Sequence, residues 1–167
     1  DDLADRVHDC DLLLDQNLVA KTHTRYANKV PAACRLLLGP EYALLQSSYA
    51  KLHDSVPLRE GQVQRIFIFF GGVDNNNLTG RTLAVFLQLN RPNIEVDVVI
   101  TASSPYVVAI RQQVAGHGNI HLYSGLPTLA PLMARADLAI GAGGSTSWER
   151  LCLGLPTLVV TLAENQW

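Results

Sequence analysis

The stretch ADLAIGAGGSTSWERLCLGLPTLVVTLAENQ, residues 136–166, decides the fold. An apolar run at 138–140 stops in GAGGSTS, a turn of glycines and hydroxyls. A helix-compatible segment, 146–153, follows and carries a single acid, Glu149. Gly154-Leu155-Pro156 breaks it, and a second apolar run, 157–162, ends in Glu164, Asn165 and Gln166. Strand, glycine-rich turn, short helix, strand is one βα unit, and both strand ends are polar on the same side.

Working outward, the unit repeats. From residue 65 the strand candidates are 65–70 (RIFIFF), 96–101 (VDVVIT), 120–123, 138–140 and 157–162; helix candidates 78–89, 106–114, 128–135 and 146–153 alternate with them. Continuous apolar strands between amphipathic helices predict a parallel sheet covered on both faces. The expected class is α/β, a Rossmann-like doubly wound parallel sheet ordered 3-2-1-4-5. Its first and fourth strands are then neighbours, and the ligand crevice lies beyond their C-terminal ends. The loops falling there are GGVDNNN, from Gly71, and GAGGSTS, from Gly141.

Residues 1–60 are irregular. CDLLLDQN predicts a short buried strand at 11–14. RLLLGPEYALL is broken by Gly39-Pro40 and cannot be one helix. SSYAKLHDS predicts a short helix capped by Ser47 or Ser48, and VPLREGQ reads as a linker. The boundary is drawn at 60/61: an N-terminal tail and linker over 1–60, and the regular Rossmann-like domain over 61–167.

Composition narrows the class. The 167 residues are 48% hydrophobic and 17% charged, which fits a packed α/β domain and argues against disorder. A net charge of -2 without a basic block argues against nucleic acid as partner. No apolar run reaches membrane-span length, so no membrane partner is expected. Cys10, Cys34 and Cys152 form no CxxC and predict reduced thiols in a cytoplasmic protein. The histidines His8, His23, His53, His117 and His121 form no HxH or HExxH pair and are assigned to surface or loop. No metal or cofactor is expected. The chain starts DDLADR without Met and stops at Trp167, so it reads as a fragment.

Glycine turns let a ligand approach the backbone, and free amides at a helix start favour phosphate. Gly143, Gly144, Ser145 and Thr146 offer this after the fourth strand, and Gly71 and Gly72 after the first. Neither loop matches GxGxxG or GxxxxGK[ST], and no GxSxG frame marks a hydrolase nucleophile. Glu149 has two readings. TSWE fits a capping box, with Thr146 as cap and Glu149 folding back, and pattern alone favours this. Alternatively, Glu149 points into the crevice and accepts two hydrogen bonds from a ribose diol. Trp148 is read as core packing.

The segments FFGGVDNNNLT, ARADLAIGAGGSTSWERLCLGLPTLVVTLAENQ, CDLLLDQNL and CRLLLGPEYALL together resemble the UDP-2,4-diacetamido-2,4,6-trideoxy-L-altropyranose hydrolases of pseudaminic acid biosynthesis. That family also carries the name spore coat polysaccharide biosynthesis protein. More distantly, GGSTSWE…GLP is similar to the N-acetylglucosaminyltransferase of peptidoglycan synthesis, and both belong to the glycosyltransferase-B superfamily. The resemblance implies a C-terminal domain of that fold with a UDP-sugar as partner. It implies that Gly144, Ser145 and Thr146 hold the diphosphate and that Glu149 takes the ribose hydroxyls, against the capping box. It also implies that the turn at 123–126, with Leu126, brackets uracil, that Asn165 and Gln166 face phosphate or sugar, and that Gly71, Gly72 and Asp74 close the other side. The family's hydrolytic His lies in an N-terminal GH loop that this chain lacks. No catalytic residue is therefore expected here, the chain alone is expected to be inactive, and a missing N-terminal domain is its expected partner. Gln46 stands where the family usually has Arg after YALL. A UDP-sugar glycosyltransferase half and a non-catalytic nucleotide-binding module remain as alternatives.

Overall fold

The computed structural model describes residues 3–20 and 24–162. The chain divides into two compact units, with the boundary between Leu45 and Gln46.

In the first unit, β1 (Leu12–Asp15) pairs in parallel with β2 (Arg35–Leu38), and a 3-10 turn follows at Pro40–Tyr42. Gly39, at φ 114°, makes the break before Pro40. Leu13, Tyr26 and Leu38 form a small core. Asp15 is fully buried and is held by the Arg25 guanidinium, by the Tyr26 hydroxyl at 2.9 Å and by the amide of Asn17 at 3.0 Å. A buried carboxylate needs such donors. The strand pairing brings Cys10 and Cys34, distant in sequence, to 3.7 Å as free thiols.

The second unit begins with α1 (Ser47–His53). Then come β3 (Arg65–Phe69), α2 (Leu78–Gln88), β4 (Glu95–Val99), α3 (Val107–Val114), β5 (Ile120–Tyr123), α4 (Ala130–Arg135), β6 (Leu138–Ala142), α5 (Thr146–Cys152) and β7 (Thr157–Val160). The five strands are parallel and ordered β5-β4-β3-β6-β7. This is the expected 3-2-1-4-5 order, with Ile66 opposite Leu138 and Phe69 opposite Gly141.

Alternation along β3 sets the layers. Ile66, Ile68 and Phe70 join Leu83 and Phe86 of α2 and Ile110 of α3 on one face. Phe67 and Phe69 point to the other face, where α4 packs on β3, α5 on β6 and α1 on both helices. Each fully buried aliphatic side chain contributes roughly 1.5–3 kcal/mol relative to exposure. β7 is the edge strand, and Leu158 and Val159 are more than half exposed, unlike the doubly covered strand the sequence predicts.

Two local expectations are corrected. Gln46, not Ser47 or Ser48, is the N-cap of α1, and it makes no side-chain cap bond; the Ser48 hydroxyl instead meets Thr128 Oγ1 at 3.1 Å. The segment read as a linker is anchored: Arg59 donates to the carbonyls of Ala136 at 2.7 Å, Met133 at 3.0 Å and Leu153, closing the C-terminal ends of α4 and α5. These ties, with α1 packed on α4 and α5, group residues 46–60 with the sheet. His121 keeps its expected surface position, with its side chain 39% exposed on β5, where it pairs with Glu95 at 2.6 Å. His23 lies outside the described residues.

Candidate functional site

A cleft of about 330 Å³ opens at the C-terminal edge of the sheet. Its floor is Phe69 at the end of β3 and Val99–Thr101 at the end of β4. One wall is the turn Gly125–Leu129 before α4. The other comes from Thr146 and Glu149 of α5, with Gln46 and Tyr49 of α1. The volume falls in the range of small-molecule sites, and the position is the topological switch point. Gly125, at φ 66°, makes the turn that presents Leu126.

Of the residues singled out by sequence, Leu126, Thr146 and Glu149 line this one cleft. Gly144 and Ser145 are exposed in the adjoining turn. Among the described residues, no atom beyond its chain neighbours lies within 4 Å of a Cβ built on Gly144, and its φ is not positive, so neither their packing nor backbone strain requires glycine there. Gly141 is the opposite case: a Cβ would sit 2.3 Å from the Phe69 carbonyl oxygen, so β3 and β6 need its absence. Gly71, at φ 91°, and Gly72 occupy the turn after β3, tied to the next loop by Thr101 Oγ1 donating to the Gly72 carbonyl at 3.2 Å. The Asp74 carboxylate accepts from the amides of Leu78 at 2.7 Å and Thr79 at 2.9 Å, which makes it a cap of α2 with both oxygens engaged. Asn165 and Gln166 lie outside the described residues.

The capping-box reading of Glu149 fails on register. Ser145 is the N-cap of α5 and makes no side-chain cap bond, and Thr146 is already the first helical residue. Glu149 is then one position too far along to reach back to the cap. Instead it is half-buried in the cleft wall, with Oε2 buried and without a hydrogen-bond partner among the described residues. Burial pushes its pKa above the usual carboxylate value, opposed by a hydrogen bond from Tyr49 and by the charge of Arg150. A buried acceptor left unmatched costs free energy, and a ligand hydroxyl would relieve it.

Three contributors escape sequence reading. Arg150 is 2% exposed beneath the GGSTS turn and donates to the Ala142 carbonyl at 2.7 Å, to Ser147 Oγ at 3.0 Å and to Thr146 Oγ1 at 3.4 Å. No carboxylate among the described residues forms an ion pair with it, and burial lowers its pKa. Hydroxyls that accept from a guanidinium keep their protons for an outside acceptor, so Arg150 turns Thr146 and Ser147 into donors. Its spacing of four from Thr146 on the helix was the available signal. Tyr49 comes from α1 and Gln46 from its N-cap, about a hundred residues upstream of Glu149. Position 46 had drawn attention only through the resemblance. Trp148 is half-buried.

A parallel sheet wound on both faces, with its crevice at the switch point, is a Rossmann-like doubly wound fold, and it is the fold shared with a solved glycosyltransferase-B enzyme. MurG of Acinetobacter baumannii superimposes with a TM-score of 0.51 over 94% of this chain and 42% of its own, at 15% identity. Among curated proteins, the spore coat polysaccharide biosynthesis protein SpsG of Bacillus subtilis (strain 168) is 29% identical over 135 residues, covering 79% of this chain and 39% of SpsG. An uncharacterized protein of Methanocaldococcus jannaschii is 30% identical over 133 residues, covering 77% of this chain and 27% of its own. The chain thus spans about two fifths or less of these relatives. No protein-family model matches it. Among the described residues no helix is long and apolar enough to cross a membrane, and no His, Cys, Asp and Glu side chains cluster as a metal site.

Proposed function

We propose that this chain is the nucleotide-binding portion of a UDP-sugar hydrolase of surface polysaccharide biosynthesis, which releases UDP and 2,4-diacetamido-2,4,6-trideoxy-L-altrose. The observation that carries the reading is the buried Glu149 Oε2, unpartnered among the described residues, in a cleft shared with Leu126 and Thr146. Uracil would lie against the turn at Leu126, the ribose hydroxyls would donate to Glu149, and the diphosphate would take Gly144, Ser145 and Thr146, with Gly71 and Gly72 opposite. Arg150 supplies positive charge from beneath without touching the ligand. The likeness to SpsG supports the polysaccharide setting.

Calorimetry with UDP tests the site. Glu149→Gln keeps shape and one acceptor but loses charge-assisted bonds worth about 1.5–3 kcal/mol, so UDP should bind roughly ten- to a hundredfold more weakly while the fold stays intact. Unchanged affinity would remove Glu149 from the ribose. The fold shared with MurG favours a second reading, a glycosyltransferase half that holds UDP in the same cleft. Product analysis on the full-length protein separates them: a free sugar marks the hydrolase, a new glycoside the transferase.

A further inference from the structure

α1 stands outside the βα alternation, yet it is built into the cleft wall. Ser48 Oγ meets Thr128 Oγ1 at 3.1 Å at its start, and His53 Nδ1 meets the Cys152 carbonyl at 2.6 Å at its end. Between these ties Tyr49 is fully buried, and it lines the cleft wall together with Glu149 and Thr128. Among the described residues, the groups facing Glu149 are few. Tyr49 comes from α1 and Arg150 from its own helix, while the sheet offers Phe69 and Val99 and the turn before α4 offers Thr128 and Leu129. The donors of Arg150 are engaged with Ala142, Thr146 and Ser147. Tyr49 is thus a neutral donor that a half-buried carboxylate can use, and the wholly buried one of this cleft wall.

We infer that Tyr49 is a positioning residue of this cleft: its phenol donates to the Glu149 carboxylate and holds it as an acceptor for a ligand hydroxyl. The inference rests on the proposed contact between Glu149 and ribose. A desolvated carboxylate tends to take up a proton, and a protonated one offers the diol a donor where an acceptor is needed. The phenol opposes this. Burial and the neighbouring carboxylate raise its own pKa, so it remains a donor throughout the working range.

The test is Tyr49→Phe, which keeps the buried ring and removes one oxygen. Carbon-13 NMR titration of the Glu149 carboxyl, without ligand, should show a wild-type midpoint above that of an ordinary glutamate and a higher one still in the variant. UDP calorimetry from about pH 8 down to about pH 5 should show the variant losing affinity at a higher pH than wild type. At the alkaline end, where both carboxylates are charged, the two should agree within about threefold. A tyrosine that only fills space predicts an unmoved midpoint and the same proportional loss at every pH. That result, with wild-type UDP binding intact, overturns the role of Tyr49 alone. A shifted midpoint in a wild-type protein that binds no UDP overturns the nucleotide reading and, with it, this role.

Discussion

Where the strands of the large sheet begin, Asp97 is fully buried and accepts from Arg135 at 2.7 and 2.9 Å and from Arg65 at 3.3 Å. Asp137 takes the amides of Gln64 and Arg65 at 2.8 and 2.7 Å, and Glu95 pairs with His121. Where the strands end, Glu149 has a buried oxygen with no partner among the described residues, and Arg150 is a buried cation to which no described carboxylate is bonded. Both edges place charge in low-dielectric surroundings. At one edge acids and bases satisfy each other, so the charges add only to the fold. At the other, the polar capacity is left unmatched, which is what a ligand needs. The contrast separates a structural network from a site better than counting charged residues does, since the starting edge has more of them.

The largest expected effect tests the saturated edge. Asp97→Ala removes the acceptor of two guanidiniums at once. Losing one member of a buried ionic group costs about 3 kcal/mol, the lower end of the usual range, because Arg65 and Arg135 are partly exposed and can hydrate. Denaturant unfolding should show that loss, while calorimetry on the folded fraction shows UDP affinity within about twofold of wild type. A selective loss of UDP binding would mean the two edges are coupled and the comparison is false.

Much of this arrangement was legible because it depends on local pattern. RIFIFF, the Gly154-Leu155-Pro156 break and the two glycine turns settle strand order and crevice, since a doubly wound sheet has few allowed topologies. The unread part is long-range. Nothing near Asp97 in VDVVIT names Arg65 or Arg135 as partners. Nothing in SSYAKLHDS says that a helix before the sheet lines a cleft after it. The Thr146–Glu149 spacing matches a capping box in sequence, and only the helix start at Ser145 moves Glu149 out of reach. The edge strand β7 shows the same limit: its apolar run resembles the central strands, and position in the sheet is a tertiary property.

A smaller effect tests the unmatched edge without ligand. The Glu149 pKa is raised above its ordinary 4.5 by burial. The folded state therefore holds its proton more tightly than the unfolded state does. Stability falls as pH rises from that ordinary value through the raised folded one, and the charged carboxylate is a liability above both. Glu149→Gln should melt slightly higher than wild type at neutral pH, with the gain fading as pH drops below the unfolded glutamate range. Melting curves at a series of pH values check this. A variant that melts lower at neutral pH would show that the carboxylate supports the fold, as the carboxylates at the other edge do.

The smallest effect on the fold belongs to Gly144→Ala. Three residues earlier Gly141 has a structural reason, since a methyl there collides with the Phe69 carbonyl. Gly144 has none: its Cβ direction is open and its φ is not in the left-handed region. Adding a methyl should leave stability unchanged or raise it by up to about 1 kcal/mol, through a less flexible unfolded chain. The proposed diphosphate, however, approaches the backbone of this turn, and the methyl would hold it off. UDP affinity should fall several-fold while uridine, which lacks the phosphates, binds as it does to wild type. Paired melting and calorimetry on one preparation read both quantities. Equal UDP affinity in the variant would move the phosphates away from Gly144 and leave Thr146 and Ser145 to hold them. A loss of stability instead would give Gly144 a role in the fold and erase its difference from Gly141.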